Sequence, residues 1–419
     1  DLTCSGDETV ATVIDLANRT ATVTLQYNDQ NPAASQADVL CSFVNKTLPS
    51  LTVVKNTAGG NGVFSFTASA PINAFDLDTG TANTAFRTFT NLQPGVDYSV
   101  VELIPAGWTL SSASCSNGSG TLNPDPDIGA ISGISLQLGE NVTCTFNNTR
   151  TGAVSITKNT VGGDDTFDFR PGVGSPILFS LTTSGGSSPP WAARFTAGTY
   201  TIIEDAKAGW DLTDLSCTED MTQDSTTDLP TRTITLRVQD GETINCTVAN
   251  EKHGTLTVIK QTLPDGDPAS FTFTGTVAGS ISDGGNLSFT GSAGVFTTNE
   301  SALAGWDVTD IACLGATNST VLIGGTADYV DGDTDVSADV AAGEVINCVY
   351  LNTKRSSLTI VKHLTAVGPA VQDFDFTSDI PGHGAFTLSP VDASTDDELV
   401  VLDLEPGLYA VSEADPTLD

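Results

Sequence analysis

Basic residues are scarce in this chain: 16 Lys and Arg stand against 51 Asp and Glu, for a formal net charge of -35. So acidic a chain repels nucleic acid and anionic membrane surfaces, which removes both as partners and leaves divalent cations as species it could attract. Long apolar runs are missing as well, and none approaches the roughly 18 residues that signal a membrane span. No helical stripe recurs, and methionine occurs once. The three histidines, His253, His363 and His383, form no cluster. No Cys-x-x-Cys pair, phosphate loop, nucleotide fingerprint or Ser-His-Asp order appears, so an enzyme acting on a separate substrate has no convergent residue set to rest on, and no cofactor is implied.

What the chain does have is Thr, Val, Ser, Asp, Asn and Gly, with 39% hydrophobic residues, which describes a folded β-rich protein and not a disordered acidic tail. Four of the few lysines end a short apolar strand of one pattern: Leu51-Thr-Val-Val-Lys55, Val154-Ser-Ile-Thr-Lys158, Leu256-Thr-Val-Ile-Lys260 and Leu358-Thr-Ile-Val-Lys362. They recur at intervals of 103, 102 and 102 residues, so the 419 residues form an array of similar modules. Other landmarks follow each lysine in fixed order. An alternating aromatic strand comes first (Phe64-Ser-Phe66, Phe167-Asp-Phe169, Phe271-Thr-Phe273, Phe374-Asp-Phe376). An aromatic-x-x-x-Glu strand ends at Glu102, Glu204, Glu300 and Glu413, and a Gly-Trp pair follows at Trp108, Trp210 and Trp306. Short alternating strands bounded by Gly, Pro, Asn and Asp predict a β-sandwich in every module, an all-β tandem array of Ig-like or prealbumin-like sandwiches of about 100 residues.

Eight cysteines fall two to a module: Cys4 and Cys41, Cys115 and Cys144, Cys217 and Cys246, Cys313 and Cys348. An even count at repeated spacing reads as one disulfide per module in an oxidising compartment, with pairing inside each module as the economical connectivity. Complete modules are expected at 50–149, 151–251 and 254–354, with the back half of a module at 1–49 and the front half of another at 356–419. Joined end to end, Glu413 and Cys4 would be 10 residues apart, against 13 from Glu to Cys in every complete module. The chain is therefore expected to be a window on a longer repeat array; completion of the half-modules by a neighbouring chain is the alternative.

Side chains alternate faces along a strand, and parity then sorts the landmarks. Leu51, Val53 and Lys55 share one face; so do Tyr98, Val100 and Glu102, and so do Cys144, Phe146 and Asn148. The same holds for Lys158, Glu204 and Asn250 and for Lys260, Glu300 and Asn352; Asn45 and the pair Lys362 and Glu413 fit it in the half-modules. Every core-facing row thus ends in one polar residue, always Lys, Glu or Asn. Asn147 competes with Asn148, but the asparagine four residues after the cysteine recurs in the other modules. Burial drives a lysine toward the neutral, nucleophilic amine and a glutamate toward its protonated form. An asparagine carboxamide offers an electrophilic carbon. Held in contact, the three form an intramolecular isopeptide bond: amine attacks carboxamide, the acid shuttles protons, and ammonia leaves.

The strand-terminal lysine, the Tyr-x-x-x-Glu box and the asparagine near the end of the last strand resemble the collagen-adhesin B-type (CnaB-like, prealbumin-like) repeats of bacterial surface proteins and pilins. The resemblance covers nearly the whole chain. It implies a β-sandwich fold and bonds Lys55–Asn148 with Glu102, Lys158–Asn250 with Glu204, and Lys260–Asn352 with Glu300. Each asparagine lies 10 residues before the next lysine (Asn45 to Lys55, Asn148 to Lys158, Asn250 to Lys260, Asn352 to Lys362), which leaves only a few linker residues. Basic residues gather there: Lys46, Arg150, Lys252, Lys354 and Arg355.

Fainter signals include Asp331-Gly-Asp333-Thr-Asp335, which resembles the start of a calcium loop without the rest of that pattern. The expected function is a structural segment of a stiff extracellular fibre, filament or stalk on a bacterial surface, whose partners are other copies or neighbouring modules. The alternative is a cell-surface adhesin for a protein or glycan, with Trp191, in Ser-Pro-Pro-Trp, as its exposed aromatic loop.

Overall fold

A computed structural model describes residues 2–6, 11–24, 39–123, 128–365, 372–392 and 394–414. Every regular element among them is a β-strand. Three sandwiches repeat one plan. In the first, a four-stranded sheet runs Trp108–Cys115, Asn141–Arg150, Ser50–Ala58, Thr84–Phe89, and it faces a five-stranded sheet ordered Thr121–Leu122, Gly129–Ser135, Asp97–Leu103, Val63–Ala68, Phe75–Asp78. The second and third sandwiches keep the same neighbours.

The opening strand of each sandwich (Ser50–Ala58, Gly152–Val161, Gly254–Leu263) lies parallel to its closing strand (Asn141–Arg150, Thr243–Lys252, Val345–Lys354), and the pair forms the centre of the four-stranded sheet. All other pairings in the sandwiches are antiparallel. Alternation explains the fold locally. Leu51, Val53 and Lys55 are fully buried, while Thr52 and Val54 between them are half-buried. The aromatic strand supplies the core from the other sheet: Phe66 meets Phe146 edge-on at 5.3 Å between ring centroids, and Phe273 meets Tyr350 at 5.1 Å. The Trp of each Gly-Trp pair plugs one end of the core, edge-on to Phe64, Phe167 or Phe271 at 5.1, 5.3 and 5.2 Å. Disulfides join Cys4–Cys41, Cys115–Cys144, Cys217–Cys246 and Cys313–Cys348, each across two paired antiparallel strands.

Ser356–Lys362 pairs antiparallel with Asp397–Leu404, and among the described residues no parallel strand lies on its other side. Its inward residues Leu358 and Ile360 are accordingly half-buried, where their counterparts Leu51 and Val53 are fully covered.

One residue separates consecutive sandwiches: Thr151, then His253, then Arg355 before Ser356–Lys362. Its N–H donates back to the carbonyl of Gly107, Gly209 or Gly305 at 2.9, 2.9 and 2.8 Å. A turn of the following sandwich closes from the side: Gly241 N–H donates to Arg150 O at 2.9 Å, and Gly343 N–H to Lys252 O at 3.0 Å. Both glycines have positive φ (+78° and +74°), and a Cβ on either would run into the carbonyl oxygen of Gly59 or Gly162. Arg150 and Lys252 lie across Gly60 and Gly163, whereas Lys354 and Arg355 pair with Asp267 and Asp307 at 2.9 and 2.7 Å. On the opposite side Arg194 rests on Gly107, and Ser292 donates to Asp211. A junction gripped from two sides around a single residue has no free segment in which to bend. Replacing Gly241 by Ala should widen the distance distribution between spin labels on the first two sandwiches, while each sandwich loses only about 1–2 kcal/mol. An unchanged distribution would show that the glycine contact does not set the junction.

Candidate functional site: a buried lysine, glutamate and asparagine in each sandwich

The inward row of each opening strand ends in a lysine with nowhere to go but the core. Lys55, Lys158 and Lys260 are each 0% exposed. Their stems run between the sheets and their ammonium groups sit 4.5, 4.4 and 4.3 Å from the ring centres of Phe64, Phe167 and Phe271. The parallel closing strand brings its asparagine to the same spot, because Asn148 is two residues beyond Phe146, which lies opposite Lys55 in register. The facing sheet supplies the glutamate from the end of its own inward row. Glu102, Glu204 and Glu300 and Asn148, Asn250 and Asn352 are all buried.

The contacts are close. Lys55 Nζ lies 3.2 Å from Glu102 Oε1, and Asn148 Nδ2 donates to that same oxygen at 2.6 Å. Lys158 Nζ lies 3.1 Å from Glu204 Oε1 and donates to Asn250 Oδ1 at 2.5 Å. Lys260 Nζ donates to Asn352 Oδ1 at 2.6 Å and lies 3.5 Å from Glu300 Oε2, while Asn352 Nδ2 donates to Glu300 Oε1. Each amine also reaches a closing-strand carbonyl, Phe146, Val248 or Tyr350. Burial pushes the three lysines down to about 8, against the pull of their glutamates. Burial pushes Glu102 and Glu300 up, opposed by the neighbouring lysines. The chemical kit is complete: an amine close to neutrality, a carboxamide carbon, and a carboxyl group between them. Asn147, the sequence rival, points outward, where it accepts from Asn56 at 3.0 Å and donates to Ser112 at 2.8 Å.

In the C-terminal segment Lys362 and Glu413 meet at 2.6 Å, partly exposed, with Lys362 over Phe374 at 3.9 Å. Asn45 is exposed in the 44–49 connection, and no contact among the described residues joins it to Lys362. The acidic run does not gather: Asp333 turns back to accept from Val330 N–H at 2.8 Å, while Asp335 begins the strand Asp335–Val340. Among the described residues no group of three or more His, Cys, Asp or Glu side chains is placed to hold a metal. Trp191 departs from the exposed loop expected of it. It starts the strand Trp191–Phe195, pairs opposite Ile156, and stacks on Phe179 at 4.0 Å with planes 11° apart.

Two residues escaped the sequence reading. Arg232 Nη2 donates to Glu204 Oε2 at 2.8 Å, and its only sequence signal is an arginine in an acidic stretch at the address where the sibling sandwiches carry Gly129 and Thr334. Tyr350 stands where the others have Phe146 and Val248; burial pushes its hydroxyl up.

A family model described as a prealbumin-like fold domain matches residues 51–150, 154–252 and 256–354. Among solved structures, the TIE protein of Bacillus anthracis aligns at 18% identity and a TM-score of 0.29, covering 84% of this chain and 59% of that one. The chain thus spans less than two thirds of that protein. BcpA, the major pilin subunit of Bacillus cereus, aligns at 10% identity and TM-score 0.31, covering 73% and 99%. The C-terminal fragment of the pilus adhesin SpaC from Lactobacillus rhamnosus GG aligns at 17% and 0.21, covering 49% and 98%. No curated protein matches the chain in sequence.

Proposed function

The chain belongs to the prealbumin-like fold domain family, and from that premise we propose that it is a structural segment of a stiff extracellular fibre or stalk, each sandwich sealed by its own Lys–Asn isopeptide bond. Modules 50–149, 151–251 and 254–354 would each be one sealed unit. The observation that carries the reading is the threefold recurrence of a buried Lys–Glu–Asn set across the parallel opening and closing strands. Lysine is among the costliest residues to bury, and no sandwich fold requires one there. In the reaction the lysine Nζ attacks the asparagine Cγ, the Nζ–Cγ bond forms, the Cγ–Nδ2 bond breaks, and ammonia departs with protons relayed through the glutamate. Contact within a closed core supplies a high effective concentration, so no second protein is needed. The reaction happens once per sandwich and turns over nothing.

Four disulfides fit an oxidising compartment outside the cytoplasm. Pilins and a pilus adhesin among the aligned structures suit the same setting. Intact mass tests the reading: the purified chain should weigh one ammonia less per sealed sandwich, beyond the hydrogens lost to disulfides. Digestion should yield branched peptides joining Lys55 to Asn148, Lys158 to Asn250 and Lys260 to Asn352. A mass short only of disulfide hydrogens refutes the cross-link.

A further inference from the structure

The three sets share their parts but not their wiring. In the first and third sandwiches the asparagine amide donates to the glutamate. In the second, Asn250 Nδ2 is buried without a partner, and Glu204 instead receives a guanidinium on Oε2. That guanidinium belongs to Arg232, held by a left-handed backbone (φ 59°) just before the strand Thr233–Val238, with its carbonyl accepting from Glu204 N–H at 3.1 Å. The same address holds Thr334 beside Glu300 and Gly129 beside Glu102, neither of them charged.

We propose that Arg232 is a positioning residue that occupies Glu204 Oε2, and that it thereby makes sealing of the second sandwich pH-dependent where sealing of the other two is not. The proposal rests on the cross-linking reading above. In the first and third sandwiches the lysine ammonium passes a proton to the glutamate inside the core, and the pair exchanges no proton with solvent. The resulting amine attacks Cγ, the leaving nitrogen collects its hydrogen through the carboxyl group, and the products are one amide, one ammonia and the proton first shed. In the second sandwich a proton on Glu204 would break the charge-assisted bond to Arg232, worth more than a neutral one. Lys158 must therefore give its proton to water before it can attack. From the neutral amine the step balances: Nζ–Cγ forms, Cγ–Nδ2 breaks, one amine hydrogen crosses by way of Glu204 Oε1 to the leaving nitrogen, and Glu204 ends as it began.

The groups around the pair are few. The strand Thr166–Arg170 presents Phe167 and Phe169, and the closing strand presents Val248 and Asn250. Arg170 is engaged with Asp205 at 2.6 Å, and Lys207 with Asp165 at 2.8 Å. Asp211, from the Trp210–Glu219 strand, is held by Ser292 and by His253 at 3.2 Å. Arg232 is the charge that touches Glu204 besides Lys158. Burial places Lys158 at about 8, and Arg232 adds to the lowering.

To test this, the full chain is kept unfolded in guanidinium, diluted into oxidising buffers between about pH 6 and about pH 8, quenched in acid at intervals, and digested. The three branched peptides are then counted by mass. The Lys158–Asn250 peptide should form about tenfold faster from about pH 6 to about pH 7 and about fiftyfold faster across the range, as the neutral fraction of Lys158 grows. The other two should change by no more than about threefold. Arg232→Gln should flatten the second sandwich's profile, and Arg232→Lys should restore the slope. Should the parent chain seal all three with one pH profile, the proposal is overturned even without the variants, and a sloping Arg232→Gln profile overturns it too. Absence of every branched peptide at every pH removes the cross-linking reading itself, and this inference with it.

Discussion

Pulled from its ends, the chain bearing Asn250→Ala should show one lengthening event that the parent chain lacks. If the sandwich is sealed as proposed, tension would enter at Gly152, cross from Lys158 to Asn250, and leave at Lys252. The 92-residue span between those two residues would then carry none of it. Without the bond that span is exposed to force, except for the 29 residues spanned by the Cys217–Cys246 disulfide. The released length is roughly 220 Å at about 3.5 Å per residue, and reduction of the disulfide should add roughly 100 Å. In the parent chain, reduction should add nothing for this sandwich, because the disulfide lies wholly inside the protected span. Optical-tweezer traces that show the same steps in parent and variant would remove the mechanical role.

Heat should separate the same two states. Asn148→Ala leaves the first sandwich unsealed, and by the chain-entropy argument for a loop of about 90 residues it loses about 4–5 kcal/mol. For a domain of about 100 residues that corresponds to a fall of roughly 20–30 °C in Tm, read by calorimetry. A change of only a few degrees would mean that Lys55 and Asn148 were never joined. The variant should also acquire a pH dependence. Its Lys55 is again a free amine, and burial holds it near 8 in the folded state against 10.5 in the unfolded chain. The folded state then binds fewer protons between those values. Stability is lowest below about pH 8 on this account and rises as the pH climbs toward 10.5. A sealed parent, with its amine converted to an amide, would have no such slope from this residue.

Much of this architecture was legible because it is written in periods. A two-residue alternation assigned Leu51, Val53 and Lys55 to one face, and a repeat near 100 residues made a rare lysine conspicuous each time. Counting four residues past each cysteine singled out Asn148 over Asn147, and the two do point to opposite sides of the strand. Contacts that belong to no period stayed hidden. Arg232 reaches Glu204 from 28 residues away, past two intervening strands, and its siblings at that address share no chemistry with it. Trp191 follows Ser-Pro-Pro, which reads as a loop, yet the partner strand and the stack with Phe179 hold it against the sandwich. The constant 10-residue spacing announced short linkers, but the glycine contacts that lock them join residues some 180 positions apart (Gly59 with Gly241, Gly162 with Gly343) and exist only once two sandwiches are docked.

The opening and closing strands that lie side by side in space are the first and last parts of each sandwich to be synthesised. Every lysine is therefore made ahead of its asparagine, and no sandwich can shut until its final strand has been made. If the proposed cross-links form, the chain would begin as an open line and harden one unit at a time, in the order in which it was made.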